Sequence, residues 1–131
     1  MSSGSNTYIA VVDDDESLRR SMARLLRTSG MQPITYKSAE DFLADEKRPE
    51  FDCLFLDVWL GGISGIELSR RLKRLGSNTP VVFSTAHDKP TFREEAFRAG
   101  CAAYLRKGDS GETVLSAIRD AIKSRQQTRV E

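Results

Sequence analysis

The stretch CLFLDVWLGGISG, residues 53–65, decides how this chain folds. Cys53-Leu54-Phe55-Leu56 is continuously apolar, the pattern of a parallel strand covered on both faces. It ends on a carboxylate, Asp57, and then runs into Gly61 and Gly62. Ser64 with Glu67 follows as the Ser-x-x-Glu signature of a helix start. A strand buried on both sides has no use for a charge at its tip unless it holds that charge in place. Alternatively, Asp57 caps a turn. On these residues alone both readings stand.

Outward from this stretch, four more short apolar runs read as strands: YIAVV (8–12), PITY (33–36), VVFST (81–85) and CAAYL (101–105). Helical spacing fills the gaps. Leu18, Met22, Leu25 and Leu26 form one stripe, Leu68, Leu72 and Leu75 a second, Phe92, Ala96 and Ala99 a third, and Leu115, Ile118 and Ile122 a fourth. A shorter helix over 39–45 is opened by Ser38 with Asp41, and Gly30, Gly76 and Gly100 stand where helices stop. The alternation predicts an α/β fold, a (βα)5 doubly wound five-stranded parallel sheet with right-handed crossovers. Such sheets place ligands at the carboxyl ends of their strands.

The bulk properties set limits. At 131 residues the chain fits one domain, here 7–125, with a flexible tail at 1–6 and a polar tail or the start of a linker at 126–131. Twenty Lys and Arg against nineteen Asp and Glu leave a net charge of +1. That balance excludes general attraction to nucleic acid or membrane surfaces, so an anion must be bound locally. No apolar run approaches the roughly 18 residues of a membrane span, and no secretory signal is present. Cys53 and Cys101, both in apolar strand-like runs without metal spacing, read as buried free thiols of a reducing cytoplasm.

The predicted carboxyl ends carry Asp13, Asp14, Asp15 and Glu16, then Asp57, then Ser84-Thr85, then Arg106-Lys107. Carboxylates gathered at one edge repel and raise a pKa unless a cation joins them. Mg²⁺ suits such a site, since it takes few protein carboxylates and keeps its waters. A metal, the Lys107 ammonium and the Thr85 hydroxyl around one carboxylate are what a phosphoryl group needs. Asp57 itself can be the nucleophile, forming an acyl phosphate. Residue by residue there are plainer readings. Asp15 caps a helix, Lys107 is a solvated lysine, Thr85 a β-branched strand residue and Tyr104 a core aromatic. His87 is a solvated loop histidine, and Arg70, Arg71, Lys73 and Arg74 form a solvated helix face.

Taken together, VVDDDESLRRSM, LFLDVWLGGISGIEL, VVFSTAHD and AYLRKG resemble the receiver domain of bacterial two-component response regulators, over residues 7 to 125. The acidic pair, the acceptor, a glycine eight residues beyond it, the hydroxyl, and a lysine 22 residues further agree in order and spacing. The resemblance implies a flavodoxin-like receiver fold in which Asp57 accepts a phosphoryl group from a sensor histidine kinase or phosphotransfer protein. It implies Mg²⁺ bound by Asp14 and Asp57 directly, by Asp13 through water, and by the backbone carbonyl of Trp59. Lys107 and Thr85 would hold phosphoryl oxygens. Thr85 moving toward the phosphate would let Tyr104 turn inward, a switch that alters the surface of the fourth helix, fifth strand and fifth helix, through which the domain would dimerise or meet a partner. Trp59, Ala86, His87, Gly61 and Gly108 would modulate the loops. The family's phosphorylation and dephosphorylation are self-catalysed, so the resemblance implies a cytoplasmic switch and not a conventional enzyme. YKSAEDFLA further resembles regulators with a LuxR-type helix-turn-helix output.

Three departures accompany it. Gly108 replaces the proline that usually follows the lysine, predicting a trans bond and a looser turn. Leu60-Gly61 replaces Met-Pro, and Trp59 sets a bulky ring beside the site. A haloacid-dehalogenase-type phosphatase also uses a strand-end aspartate, but needs a second one two residues on, where Trp59 stands. A flavodoxin-like FMN binder needs a hydroxyl- and glycine-rich loop after the first strand, and DDDES would repel a phosphate there. A degenerate receiver that signals without phosphate is the remaining alternative.

Overall fold

A computed structural model describes residues 6–130, with side chains to residue 126. The expected tail at 1–6, apart from Asn6, and Glu131 lie outside the described residues. Five strands alternate with five helices: β1 (Tyr8–Val12), α1 (Glu16–Thr28), β2 (Gln32–Tyr36), α2 (Ala39–Ala44), β3 (Cys53–Asp57), α3 (Gly65–Arg74), β4 (Val81–Thr85), α4 (Pro90–Arg98), β5 (Ala103–Arg106) and α5 (Gly111–Val130). All strand pairs are parallel and the sheet order is β2-β1-β3-β4-β5. The chain leaves β1 for β2 on one side and then returns to β3 on the other. The crevice of this switch in order opens at the carboxyl ends of β1 and β3.

Parallel strands need both faces covered, and strand alternation divides the core into two layers. Ala10, Val12, Leu54, Leu56, Val81 and Phe83 face Phe42 of α2, Ile66, Leu68 and Leu72 of α3, and Ala96 of α4. Ile9, Val11, Cys53, Phe55 and Val82 face Met22 and Leu26 of α1 and Val114, Ile118 and Ala121 of α5. Asp15, Ser38 and Ser64 cap α1, α2 and α3 by accepting backbone N–H groups two or three residues on. Gly30, Gly76 and Gly100 take positive φ of 84°, 92° and 83° just past helix ends. Across the base of the sheet, Arg125 of α5 donates to the Phe51 carbonyl at 3.3 Å and to Asn78 Oδ1 at 3.0 Å.

Several expectations shift. β5 starts at Ala103 instead of 101, because Gly100 ends the preceding turn and pairing with β4 begins at Val82–Ala103. Cys101 therefore lies before the strand and is half-buried, unlike Cys53. Leu75 does not join the buried stripe: it is the C-cap of α3 and 76% exposed. In α5 Ile118 is buried as expected, but Val114 and Ala121 share its stripe in place of Leu115 and Ile122, which lie at its edge. Lys73 is exposed like its neighbours, and its ammonium also donates to the Ala99 carbonyl that ends α4. Arg70, Arg71 and Arg74 do remain on the surface, paired with Glu95 or Glu67. The run from 126 continues α5 as helix to Val130.

Candidate phosphoacceptor site

The switch in strand order brings two buried carboxylates together. Asp13 follows the last residue of β1 and is 1% exposed, while Asp57 ends β3 and is 4% exposed. With the exposed Asp14 they form a group whose carboxylate oxygens lie within 4.8 Å of one another. Lys107 follows β5 at the far side of β4 and reaches back across it. Its ammonium lies 2.9 Å from Asp13 Oδ2 and 3.0 Å from Asp57 Oδ2. One cation thus bridges two buried anions.

The electrostatics follow from burial and spacing. Burial pushes the Asp57 carboxyl above its usual range; the Lys107 hydrogen bond offsets part of this, and the neighbouring Asp13 charge adds to it. Burial alone would lower the Lys107 ammonium, but the two carboxylates it bridges outweigh burial and raise it. The donor set is all oxygen, anionic and reachable past Asp14. Asp13 Oδ2 has no aligned hydrogen-bond donor. These features fit a small hard divalent cation.

The surrounding backbone explains why particular residues occupy particular places. Trp59 N–H donates to Asp57 Oδ1 at 3.1 Å, and Asp15 N–H to Asp13 Oδ1 at 2.9 Å, so each carboxylate is fixed by the turn that follows it. Gly65, eight residues after Asp57, lies against the backbone of that aspartate. A Cβ there would stand 2.1 Å from the Asp57 carbonyl oxygen. Lys107 N–H donates to the Thr85 carbonyl at 3.0 Å, tying the cation-bearing turn to β4.

That turn is not loose. Gly108 takes φ +102°, which L side chains rarely adopt. Asp109 N–H closes the turn onto the Arg106 carbonyl at 3.1 Å, and Asp109 Oδ2 accepts from Arg106 N–H at 3.0 Å. Glycine here supports a tight left-handed turn in place of a proline-shaped one. No cis peptide occurs among the described residues.

Thr85 is buried at the end of β4, and its hydroxyl accepts from His87 N–H at 3.0 Å. Ala86 and His87 are exposed in the following loop. Trp59 is 57% exposed, with its ring 5.9 Å from the rings of both His87 and Phe92. His87 is thus a rim residue with its ring tilted against an indole. Tyr104, expected to turn inward with the switch, is already inside: it is buried beside Phe97, and the Arg93 guanidinium lies 5.3 Å from its ring centre. Its hydroxyl is buried without a hydrogen-bond partner. Burial, with Asp88 nearby, raises its pKa.

Three contributors were not apparent from sequence. Arg19 donates to the Asp13 carbonyl at 2.8 Å. Asp88 pairs with Arg106 at 2.7 Å, joining the loop after β4 to β5. Glu40 accepts from Ile63 N–H in the loop after Asp57 at 3.0 Å.

Comparison with known proteins agrees with this arrangement. Residues 9–119 match the model of the response regulator receiver domain. The chain is 34% identical over 123 residues to the response regulator protein TodT of Pseudomonas putida, covering 94% of this chain and 54% of TodT. It is 33% identical over 124 residues to the transcriptional regulatory protein FixJ of Azorhizobium caulinodans, covering 94% of this chain and 59% of FixJ. The chain therefore spans little more than half the length of these relatives. A CheY-like receiver domain structure from Methanospirillum hungatei JF-1 superposes with a TM-score of 0.88 at 22% identity, over 95% of this chain and 99% of that one, which speaks for the fold. With the carboxylate cluster, the bridging lysine and the sheet order all in place, this chain belongs to the response regulator receiver domain family.

Proposed function

We propose that this receiver is a phosphorylation-dependent switch in which Asp57 accepts a phosphoryl group from a histidine of a sensor kinase or phosphotransfer protein. The observation that carries the reading is Lys107 bridging Asp13 and Asp57 beside a three-carboxylate cluster. An Asp57 carboxylate oxygen attacks phosphorus, the P–N bond to the donor imidazole breaks, and the bonding pair leaves with the imidazole. Lys107 then turns from carboxylates to phosphoryl oxygens and neutralises their charge. Asp14, Asp57, the Trp59 carbonyl and, through water, Asp13 would hold Mg²⁺, which would supply further charge neutralisation. Hydrolysis uses the same groups, so both steps are self-catalysed.

Thr85 gives up its bond to His87 N–H to reach a phosphoryl oxygen, drawing the loop after β4 inward. Tyr104, already buried beside that loop, is kept inside, which fixes the surface of α4, β5 and α5 for dimerisation or for a partner. Relatives named as transcriptional regulators support a transcriptional output, and a cytoplasmic location follows from that role. The described residues contain no helix long and apolar enough to cross a membrane.

Trp59 is the only tryptophan, so its fluorescence reports on the site. Mg²⁺ is titrated first, then beryllofluoride, a phosphoryl mimic, in the wild type and in Asp57→Asn. A saturable, Mg²⁺-dependent response to beryllofluoride that disappears in Asp57→Asn is expected. Mg²⁺ binding with no response to beryllofluoride would overturn the reading and leave a receiver that signals without phosphate.

A further inference from the structure

The loop that follows the acceptor, residues 58–64, has little side-chain material to hold it. Gly61 faces open space and Gly62 is exposed. Val58 and Leu60 are buried and anchor its start, and Gly65 N–H donates to the Val58 carbonyl at 3.2 Å to close its end. Between these anchors the Ile63 side chain packs against the core, and one hydrogen bond reaches the loop from α2. Glu40, in the first turn of α2, reaches over the loop and accepts from Ile63 N–H at 3.0 Å.

The fit is close on both sides. A Cβ at Gly62 would stand 2.1 Å from Glu40 Oε2 and 2.9 Å from its carboxyl carbon. Gly62 thus leaves the space that the carboxylate fills. The Ile63 N–H holds the Glu40 carboxyl below its usual range, as expected when a backbone donor favours the charged form. α2 begins after β2, at the edge of the sheet, so the contact ties an edge element to the loop beside Asp57.

We propose that Glu40 is a positioning residue of the acceptor loop: its carboxylate pins Ile63 and Gly62, and thereby holds the Trp59 backbone where it can serve the metal at Asp57. The proposal rests on the phosphoacceptor reading for its consequence, although the pinning itself does not depend on metal. A charged acceptor on a backbone amide is stronger than a neutral one. Glutamine keeps a carbonyl that can accept the same N–H, whereas alanine keeps nothing.

Amide hydrogen exchange at Ile63 in the metal-free protein tests the pin, and Mg²⁺ affinity read from Trp59 fluorescence tests its consequence. With Glu40→Ala, Ile63 exchange is expected to quicken by about tenfold and Mg²⁺ affinity to fall by about three- to tenfold, the scale of one charge-assisted hydrogen bond. Glu40→Gln, which keeps a neutral acceptor about half as strong, is expected to quicken exchange by about threefold, between wild type and Glu40→Ala. Gly62→Ala displaces the carboxylate and should weaken Mg²⁺ binding when Glu40 is present. In the Glu40→Ala background the same change no longer meets the carboxylate and should weaken Mg²⁺ binding less. Wild-type Ile63 exchange in Glu40→Ala, or losses from Glu40→Ala and Gly62→Ala that simply add, would overturn the proposal. If the wild type bound no Mg²⁺, the phosphoacceptor reading would fail while the exchange experiment still decided the pin.

Discussion

Replacing Lys107 by methionine removes the one cation between two buried carboxylates while keeping most of the side-chain volume. At about 3 Å and an effective dielectric of about 20, each contact is worth roughly 5 kcal/mol before desolvation. Desolvation of three charged groups takes back most of this, and Lys107 keeps 20% of its side chain exposed. The net loss is expected at the low end for a broken buried pair, about 3 kcal/mol. For a domain of this size that lowers Tm by about 10 °C.

The pH dependence identifies the cause. The Lys107 pKa is raised in the folded state, so its stabilisation is complete below the ordinary 10.5 and is lost as pH rises through the higher folded value. Wild type and Lys107→Met should therefore differ across neutral pH and converge in strong alkali, and also in acid, where the partner carboxylates are protonated. Thermal unfolding in EDTA, repeated with Mg²⁺, measures both effects. Mg²⁺ should narrow the gap, because a divalent cation at the cluster replaces the missing charge. The cost of Lys107→Met should also shrink in an Asp57→Asn background, where one of the two anions is gone. A metal-free Lys107→Met protein as stable as wild type at neutral pH would refute the reasoning.

Other outcomes follow from the same geometry. Because the Asp57 pKa is raised, chiefly by burial, its favourable contribution is complete below 3.8 and is lost as pH rises through the folded value; Asp57→Asn should therefore stabilise the metal-free protein at neutral pH, by about 1 kcal/mol, as measured by denaturant unfolding. Gly65→Ala drives a methyl into the Asp57 carbonyl and should cost about 2–3 kcal/mol, visible as a lowered urea midpoint. Gly108→Pro cannot adopt the observed positive φ and should destabilise by about 3 kcal/mol, with weaker beryllofluoride binding. Cys53 is fully buried with its thiol pushed up to about 12 by burial, whereas Cys101 is half-buried. A thiol reagent should modify Cys101 in the native protein and reach Cys53 only on unfolding.

The strands that meet a core on both faces were the most legible part of the chain. β1, β3 and β4 fall at their expected bounds because continuous apolarity is unambiguous there. The edge strands were less clear. β2 begins one residue earlier than expected, at an exposed Gln32, and β5 loses Cys101 and Ala102 to the turn after Gly100. At an edge, partial burial relaxes the demand for apolar residues, so composition no longer marks where pairing starts. In the site, Asp13, Asp14, Asp57 and Lys107 converge as their strand-end positions implied. Glu40, Arg19 and Arg125 left no such mark. An acidic residue in a first turn reads as a complement to the helix dipole, and an arginine on a helix reads as solvent-facing; their roles exist only through long-range contacts. Gly108 marked its turn correctly but gave no sign of Asp109, whose carboxylate accepts from Arg106 N–H across that turn.

Arg125 has a mechanical consequence. Gly111 starts α5 shortly after the turn that carries Lys107, while Arg125 fixes the helix near its other end to Phe51 and Asn78. The intervening residues span about 20 Å. A rod anchored at both ends does not soften a displacement along its length. A movement at the Lys107 end must either reappear at full size where Arg125 sits or break those bonds, and the loop before β3 and the loop before β4 would register it together.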